Sequence, residues 1–530
     1  MCQVSSKRAN TLVFLIMMMS CLGSYMQAWL GQSSMTGSAY TSWHAVGSDD
    51  AYISYRYAYN LFHGDGLVFN PHERVEGYSN LLYTLFITPI FFFHANWVYP
   101  YSVLLNSLFL ALTLYLFYGF LNQTLGQRKA LFGTALLGLC PYLWVNAATG
   151  LETSLILTIT VAAWIALEGY LNTQDNALFI KILLLSLLSL LARIDGFILP
   201  LSMALYLLLK NKKKSALQLM LFLLVCASVY TAWRLFYYQD FIGNPYYAKI
   251  SGPFLTRLNY GWFYIAKEMV RTGLWLPLLV LIASFLQNLI KKRFITLDFS
   301  ELFFLLWIGY LSCIGGDIYH ERFMIVLMPM GIYILMNKLP VTDYGKPISL
   351  LFFLAIMLTQ WIIVPFDSRF KYQYPKYDCL IATGKFLKKN YPHAYLAVDA
   401  AGKIPYFSQL ITLDMLGLND KVIAKMPAHT AGYFCPGHIK YDAKYVLSKN
   451  PDLIVALTDP DSNLDYGLKK NLYQQKYILT YLVNATRHDL GSNNIIDVTH
   501  FPSRRVKQYI ASGYIHAILV KKSLNTYSKS

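Results

Sequence analysis

Charge is scarce in this chain. Of 530 residues only 14% are charged, and acids are the scarcer half, 28 against 45 lysines and arginines. With 56% hydrophobic residues and a mean hydropathy of +0.39, this excludes an ordinary soluble domain and a disordered one alike. Cysteine is sparse too. The seven cysteines, Cys2, Cys21, Cys140, Cys226, Cys313, Cys379 and Cys435, show no CxxC and no zinc spacing, which excludes a disulfide-built scaffold or zinc module. Only Cys379 and Cys435 are placed to pair, provided that their domain lies outside the cytoplasm. There is no GxGxxG and no Walker loop, so nothing points to nucleotide binding. Long repeats and low-complexity tracts are lacking as well.

What fills the chain instead is apolar runs, near 10–28, 79–94, 101–121, 130–148, 154–170, 178–192, 197–210, 215–235, 273–290, 299–316, 322–337 and 347–366. Such a pattern predicts a polytopic α-helical membrane protein. The net charge of +17 does not call for nucleic acid. Much of it lies in short connectors, Gln127-Arg128-Lys129, Lys210 to Lys214 and Lys291-Lys292-Arg293, and at Lys7 and Arg8, where basic residues hold loops in the cytoplasm. All four agree only if one segment before residue 121 fails to cross. The segment 79–94 is short, broken by Pro89 and ends in Phe-Phe-Phe-His, so it reads as interfacial or re-entrant. About eleven spans then remain, with the amino terminus inside and the carboxyl terminus outside. Segment 10–28 reads as an uncleaved signal anchor.

Two domains follow. Residues 1–370 form the membrane domain, whose motif loop runs over 29–100; residues 371–530 read as a small extracytoplasmic α/β domain. In the latter AYLAVDA, QLITLDML, PDLIVAL, YILTYLV and YIHAILV are predicted strands, and GKIPYFS and YDAKYVLSK predicted helices.

On this topology the unusual polar residues share the side opposite the basic connectors. They are Asp49 and Asp50, then Glu152, Arg193 with Asp195, Arg234 with Asn244 and Lys249, and Asp317 with His320, Glu321 and Arg322. Ionisable groups beside spans are costly and mark substrate sites, so one cleft on that face is expected. It suits glycosyl transfer from a lipid-linked sugar phosphate. Arg193, Arg234, Lys249 and Arg322 are candidates to clamp the donor phosphate. Asp49 or Asp50 would take the acceptor's proton. A phosphate leaves as a stable anion, so one base and a cationic clamp suffice for single displacement with inversion. Alternatively the two acids and Glu152 could hold a divalent cation through oxygen ligands. Tyr52, Arg56, Glu76, Glu152, Asp195, Asn244, Tyr246, Asp317 and His320 are candidate substrate contacts. Simpler roles compete: Asp49-Asp50 as the first turn of an interfacial helix, Arg193–Asp195 as a helix-end ion pair, and the tyrosines at 52, 55, 57 and 59 as an interfacial belt.

The run DDAYISYRYAYNLFHGDGLVFNPHERVEGYSN, followed in order by GLETSL, RIDG, YYQDFIGNPYYAK, GGD and DAAGKIPYFSQLITLDMLGLND, resembles the GT-C glycosyltransferases that use polyprenyl-phosphate sugars. Within them it resembles the terminal arabinofuranosyltransferases of mycobacterial-type cell walls. Ile194 and Ser154 stand where that branch is expected to carry proline. The resemblance implies a catalytic acid in the first extracytoplasmic loop, hence Asp49 or Asp50, and a pentofuranose as the sugar. The expected partners are a polyprenyl-phosphate-linked sugar, the lipid bilayer and a cell-envelope glycan, lipid or protein acceptor, at a bacterial inner membrane. Two other classes compete: a receptor or envelope-assembly protein acting through its outer domain, and a transporter, which should pair ionisable residues at the midplane of related halves.

Overall fold

The computed structural model describes residues 6–30, 47–292, 296–339, 355, 358–362, 364, 378–429, 434–485 and 494–525. The first part of the motif loop, most of the run 347–366 and the boundary near 370 lie outside the described residues.

Helix α1 (Ser6–Leu30) packs against the membrane body, and after the motif loop resumes α2 (Asp49–Phe62) carries both acids in its first turn. The segment expected not to cross is α3 (Leu81–Ile87) running into a 3₁₀ stretch, Thr88–Phe92, with Pro89 in its first turn. There follow α4 (Val98–Leu125), α5 (Gln127–Gly138), α6 (Pro141–Ala148), α7 (Thr153–Thr173), α8 (Asn176–Ala192), α9 (Ile198–Leu209) and α10 (Lys213–Tyr238). Then come α11 (Asn244–Lys249), α12 (Phe254–Thr272), α13 (Trp275–Ile290), α14 (Phe299–Ile314) and α15 (Met328–Lys338).

Among the described residues, four helices, α1, α4, α7 and α10, are long and apolar enough to cross a membrane. Two bent pairs, α5 with α6 at 50° and α12 with α13 at 105°, bring the number to six, where about eleven spans were expected. The other apolar helices have 10–17 residues. The polar motifs cut them short. Helix α8 stops because Arg193 takes an extended conformation (φ −156°) and turns back onto Asp195. Similarly, α14 ends at Gly315 in the left-handed region (φ 90°), just before Asp317.

Beyond the membrane body lies a six-stranded sheet, order β2-β1-β3-β6-β4-β5. Its strands are β1 (Leu396–Val398), β2 (Thr412–Asp414), β3 (Leu453–Leu457), β4 (Tyr477–Val483), β5 (Ile495–Asp497) and β6 (His516–Lys521). β1 runs parallel to β2 and β3, with Leu396 opposite Leu453, and the remaining pairs are antiparallel. Four strands lie within the predicted runs, and β6 extends one residue, Lys521, beyond its run. The edge strand β5 was not predicted, since Ile-Ile-Asp is too short to show a pattern. Helices α16 (Cys379–Asn390) and α17 (Lys403–Ser408) flank the sheet. Cys379 and Cys435, the pair placed to be bridged, are not joined by a disulfide.

Alternation along the strands builds two cores. Leu396, Val398, Leu453, Val455, Ile518 and Val520 share one with Ile53 and Tyr57 of α2 and Tyr238 of α10. Ala397, Ile454, Ala456 and Leu519 belong to the other. One sheet face is therefore packed directly onto the motif helix, which fixes where the acids of α2 can point.

Candidate active site

The first turn of α2 lies between the two bodies, and its neighbouring carboxylates meet different partners. Asp49 turns to the sheet domain, where its oxygens accept from the amides of Gly402 (3.0 Å) and Lys403 (2.7 Å) at the start of α17. The approach is tight: a Cβ on Gly402 would run into the Asp49 carbonyl. Burial pushes the Asp49 carboxyl up to about 7, against the pull of those amides and of Lys403. Asp50 instead faces Lys249, whose Nζ lies 3.3 Å from its Oδ2. Burial opposes charge here too, but Lys249 and Arg322, with Tyr319 and His438, outweigh it and hold Asp50 below the ordinary carboxylate value.

A cavity of about 320 Å³ opens beside this pair. Glu152, Arg193, Asp195, Tyr246, Lys249, Asp317 and Arg322 all line it, so residues from four separate polar motifs meet in one space. Arg193 donates to both oxygens of Asp195 (2.9 and 2.8 Å) and lies 3.7 Å from Glu152. Arg322 donates to Asp317 at 2.8 Å. The two guanidinium carbons sit 4.2 and 5.0 Å from the centre of the Phe323 ring, so one aromatic ring contacts both cations. Arg193 Nη1 is buried and has no hydrogen-bond partner among the described residues. Such an orphan costs about 1–3 kcal/mol unless a ligand takes it, and an anion is the natural taker. Phe197, Phe254, Tyr310 and Ile314 form the apolar side of the cavity.

A smaller pocket of about 30 Å³ lies on the far side of Lys249 and is lined by Asp49, Asp50, Tyr319, Asp399 and His438. Lys249 and Pro436 line both spaces. A third, of about 200 Å³, runs along the apolar faces of α8 and α10 and touches the first at Ser79, Ile194 and Phe197. Arg234 lines that groove, paired with Glu76, which also accepts from Tyr230 at 2.9 Å. Burial raises the Glu76 carboxyl above its ordinary value in spite of Arg234.

The remaining predicted residues lie elsewhere. Arg56 is buried and donates to the carbonyls of Phe69 (2.6 Å), Pro405 (2.5 Å) and Leu410 (2.7 Å), stapling α2 to the sheet domain. Tyr52 packs edge-on against Tyr55 and Tyr406, with ring centres 4.9 and 5.3 Å away. Asn244 donates to the carbonyls of Gly417 (2.7 Å) and Leu418 (3.1 Å), anchoring α11 to the sheet domain. His320 stands beside Arg271 (3.0 Å) and Glu268, away from both pockets. The divalent-cation alternative lacks a donor set. Asp49 faces amides, Glu152 is held by Asn80 (2.7 Å), and no three His, Cys, Asp or Glu side chains converge among the described residues.

Sequence reasoning assigned no site role to Asn80, Phe323 or Asp399, and the irregular spacing with His429 and Cys435 reads His438 as a solvated loop residue, whereas His438 lines the small pocket. Asn80 links Ser54 of α2 (2.9 Å) to Glu152 and so positions that carboxylate. Its signal was its place at the end of the motif run. Asp399 and His438 lie in the sheet domain; the signal for Asp399 was its place as the first residue of the run DAAGKIPYFSQLITLDMLGLND, and His438 carried no spacing that ties it to α2.

Residues 368–508 match a family model described as Domain of unknown function (DUF8728). No curated protein sequence matches the chain. Solved structures do. The oligosaccharyltransferase AglB from Archaeoglobus fulgidus, in complex with an inhibitory peptide and a dolichol-phosphate, aligns with TM-score 0.52 and 11% identity over 92% of this chain and 75% of its own. ArnT from Cupriavidus metallidurans, bound to undecaprenyl phosphate, aligns with TM-score 0.51 and 10% identity over 96% of this chain and 97% of its own. The chain has the GT-C fold. The arabinofuranosyltransferase AftD from Mycobacteria aligns with TM-score 0.44 and 11% identity over 96% of this chain and 41% of its own, too loosely to favour the arabinofuranosyl branch. In this chain the large cavity and the acidic pair sit at the junction of the membrane body and the sheet domain.

Proposed function

We propose that this protein is a membrane glycosyltransferase that moves a sugar from a polyprenyl-phosphate donor to a cell-envelope acceptor outside a bacterial inner membrane. The observation that carries the reading is the place of Lys249, which lines a cavity with Arg193 and Arg322 on one side and pairs with Asp50 on the other. A phosphate in the large cavity would meet Arg193 with its orphan Nη1, Lys249, Arg257 and Arg322. The likeness to AglB with dolichol-phosphate and to ArnT with undecaprenyl phosphate supports the same donor class here.

Asp50 is the base and Asp49 the docking residue. The acceptor oxygen attacks the anomeric carbon, the carbon–oxygen bond to phosphate breaks, and polyprenyl phosphate leaves with that electron pair while the hydroxyl proton passes to Asp50. One displacement inverts the anomeric centre. Arg193, Arg322 and Lys249 stabilise charge that gathers on the leaving phosphate. Phosphate binding also draws Lys249 from Asp50, which raises the basicity of that carboxylate when the proton must be taken. Glu152, Asp195 and Asp317 hold the arginines in place. A pentofuranose is the sugar that the motif resemblance favours.

Radiolabelled polyprenyl-phosphate sugars supplied to membranes, with and without a chelator, test the reading. Transfer that depends on Asp50 and persists with chelator is expected. An Asp50→Asn protein, expressed normally and fully active, would overturn it.

A further inference from the structure

We infer that the acceptor presents an uncharged hydroxyl to a subsite completed by the sheet domain, and that acceptors carrying phosphate or carboxylate next to the accepting hydroxyl are excluded. The inference rests on the transferase reading above and specifies its second substrate.

The subsite is the small pocket beyond Lys249. Asp399 follows β1 directly, at the carboxyl ends of the parallel strands β1 and β3. From β1 the chain passes to β2 on one side, while β3 lies on the other. Such a reversal leaves a crevice outside the strand ends, the place where open α/β sheets hold ligands. Here the crevice is closed by the first turn of α2, so the domain's natural binding position and the catalytic carboxylate share one wall.

Charge separates this pocket from the large one. Asp49, Asp50 and Asp399 line it against a single lysine, and burial lowers the His438 imidazole below its ordinary value against the pull of Asp50 and Asp399. The large cavity sets Arg193, Arg322, Arg257 and Lys249 against Glu152, Asp195 and Asp317, so its balance is positive where that of the small pocket is negative. An anion is drawn to the second and repelled from the first, a discrimination built on repulsion as much as attraction. Acids also suit a hydroxyl, which can donate its proton to one of them.

The test uses membranes bearing the full-length protein and a polyprenyl-phosphate sugar that supports transfer to total envelope material. Two acceptors are compared, a neutral envelope oligosaccharide and the same oligosaccharide carrying a phosphate monoester on the carbon next to the accepting hydroxyl, which stays free. The neutral one should be used at least ~100-fold better in kcat/KM. Asp399→Asn keeps an oxygen for the nearer amide, that of Ala400 (2.7 Å), and gives up the longer contact from Leu457 (3.3 Å), so thermal unfolding is measured beside the kinetics. It should raise the acceptor KM roughly tenfold, narrow the preference over the phosphorylated compound, and leave the donor KM within about twofold. His438→Gln should raise the acceptor KM in the same way. Equal use of both acceptors, or an Asp399→Asn effect on donor KM alone, overturns the inference while leaving the transferase standing. Absence of Asp50-dependent transfer to any acceptor removes both.

Discussion

Two cavities meet at Ile194 and Phe197, and each sets an arginine against a carboxylate. In the groove between α8 and α10, Arg234 directs Nε and Nη2 at Glu76 and Nη1 at the Phe241 carbonyl, 3.4 Å away. In the large cavity, Arg193 satisfies two nitrogens on Asp195 and leaves Nη1 buried without a partner among the described residues. The first arrangement closes on itself. The second is complete only with an anion, and it has Arg322 and Lys249 beside it. An arginine next to a span is thus a weak sign of a phosphate site until the geometry shows which of its donors are already committed.

The sharpest way to break this contrast is at the base. Asp50→Asn should lower transfer by about 10²–10⁴-fold with donor binding retained, measured as initial rate against donor photolabelling. Next come the arginines. Arg193→Ala and Arg322→Ala should each raise the donor KM about tenfold to a hundredfold, the worth of a charged hydrogen bond. The paired change Arg234→Ala with Glu76→Ala should leave that KM within about threefold. An equal effect from the groove pair would erase the difference between the two cavities.

Asp49 is expected to act on stability more than on rate. Asp49→Asn gives up one acceptor for the α17 amides and should cost about 1–3 kcal/mol in thermal or denaturant unfolding. Its titration has a definite sign. Because the carboxyl is raised from 3.8 to about 7 in the folded protein, its stabilising contribution is full below 3.8 and is lost as pH rises through about 7. The Asn variant should therefore lose that fall in stability across the window. The smallest effect concerns Lys249, which helps to hold Asp50 low. Asp50 works ionised, so activity falls as pH drops through its pKa. Lys249→Ala should move this acid limb of kcat/KM to higher pH.

Much of the sheet domain could be read locally, because strands and short helices show their periods in a few residues: β3 is the run LIVAL, buried along its length except at Leu457. The membrane body was harder. Its apolar runs were plain, yet helices such as α8 and α9 are too short to pass as spans by themselves, since the polar motifs that build the site interrupt them. In the site, residue types pointed to Asp50, Arg193, Lys249 and Arg322 because charge beside apolar runs is conspicuous. The same signal raised Arg56, Asn244 and Arg234, whose donors are engaged elsewhere. Local spacing carries no information about which carbonyl or carboxylate lies across the fold.

By itself, the sequence determined that the chain is a helical membrane protein with an acid-bearing first loop and an α/β appendage, because hydropathy, period and charge are local properties. Only the tertiary structure decided that Asp49 docks the sheet domain while Asp50 meets Lys249. Adjacent side chains on one helical turn differ by about 100° in direction, and what each one faces is set by packing between segments hundreds of residues apart.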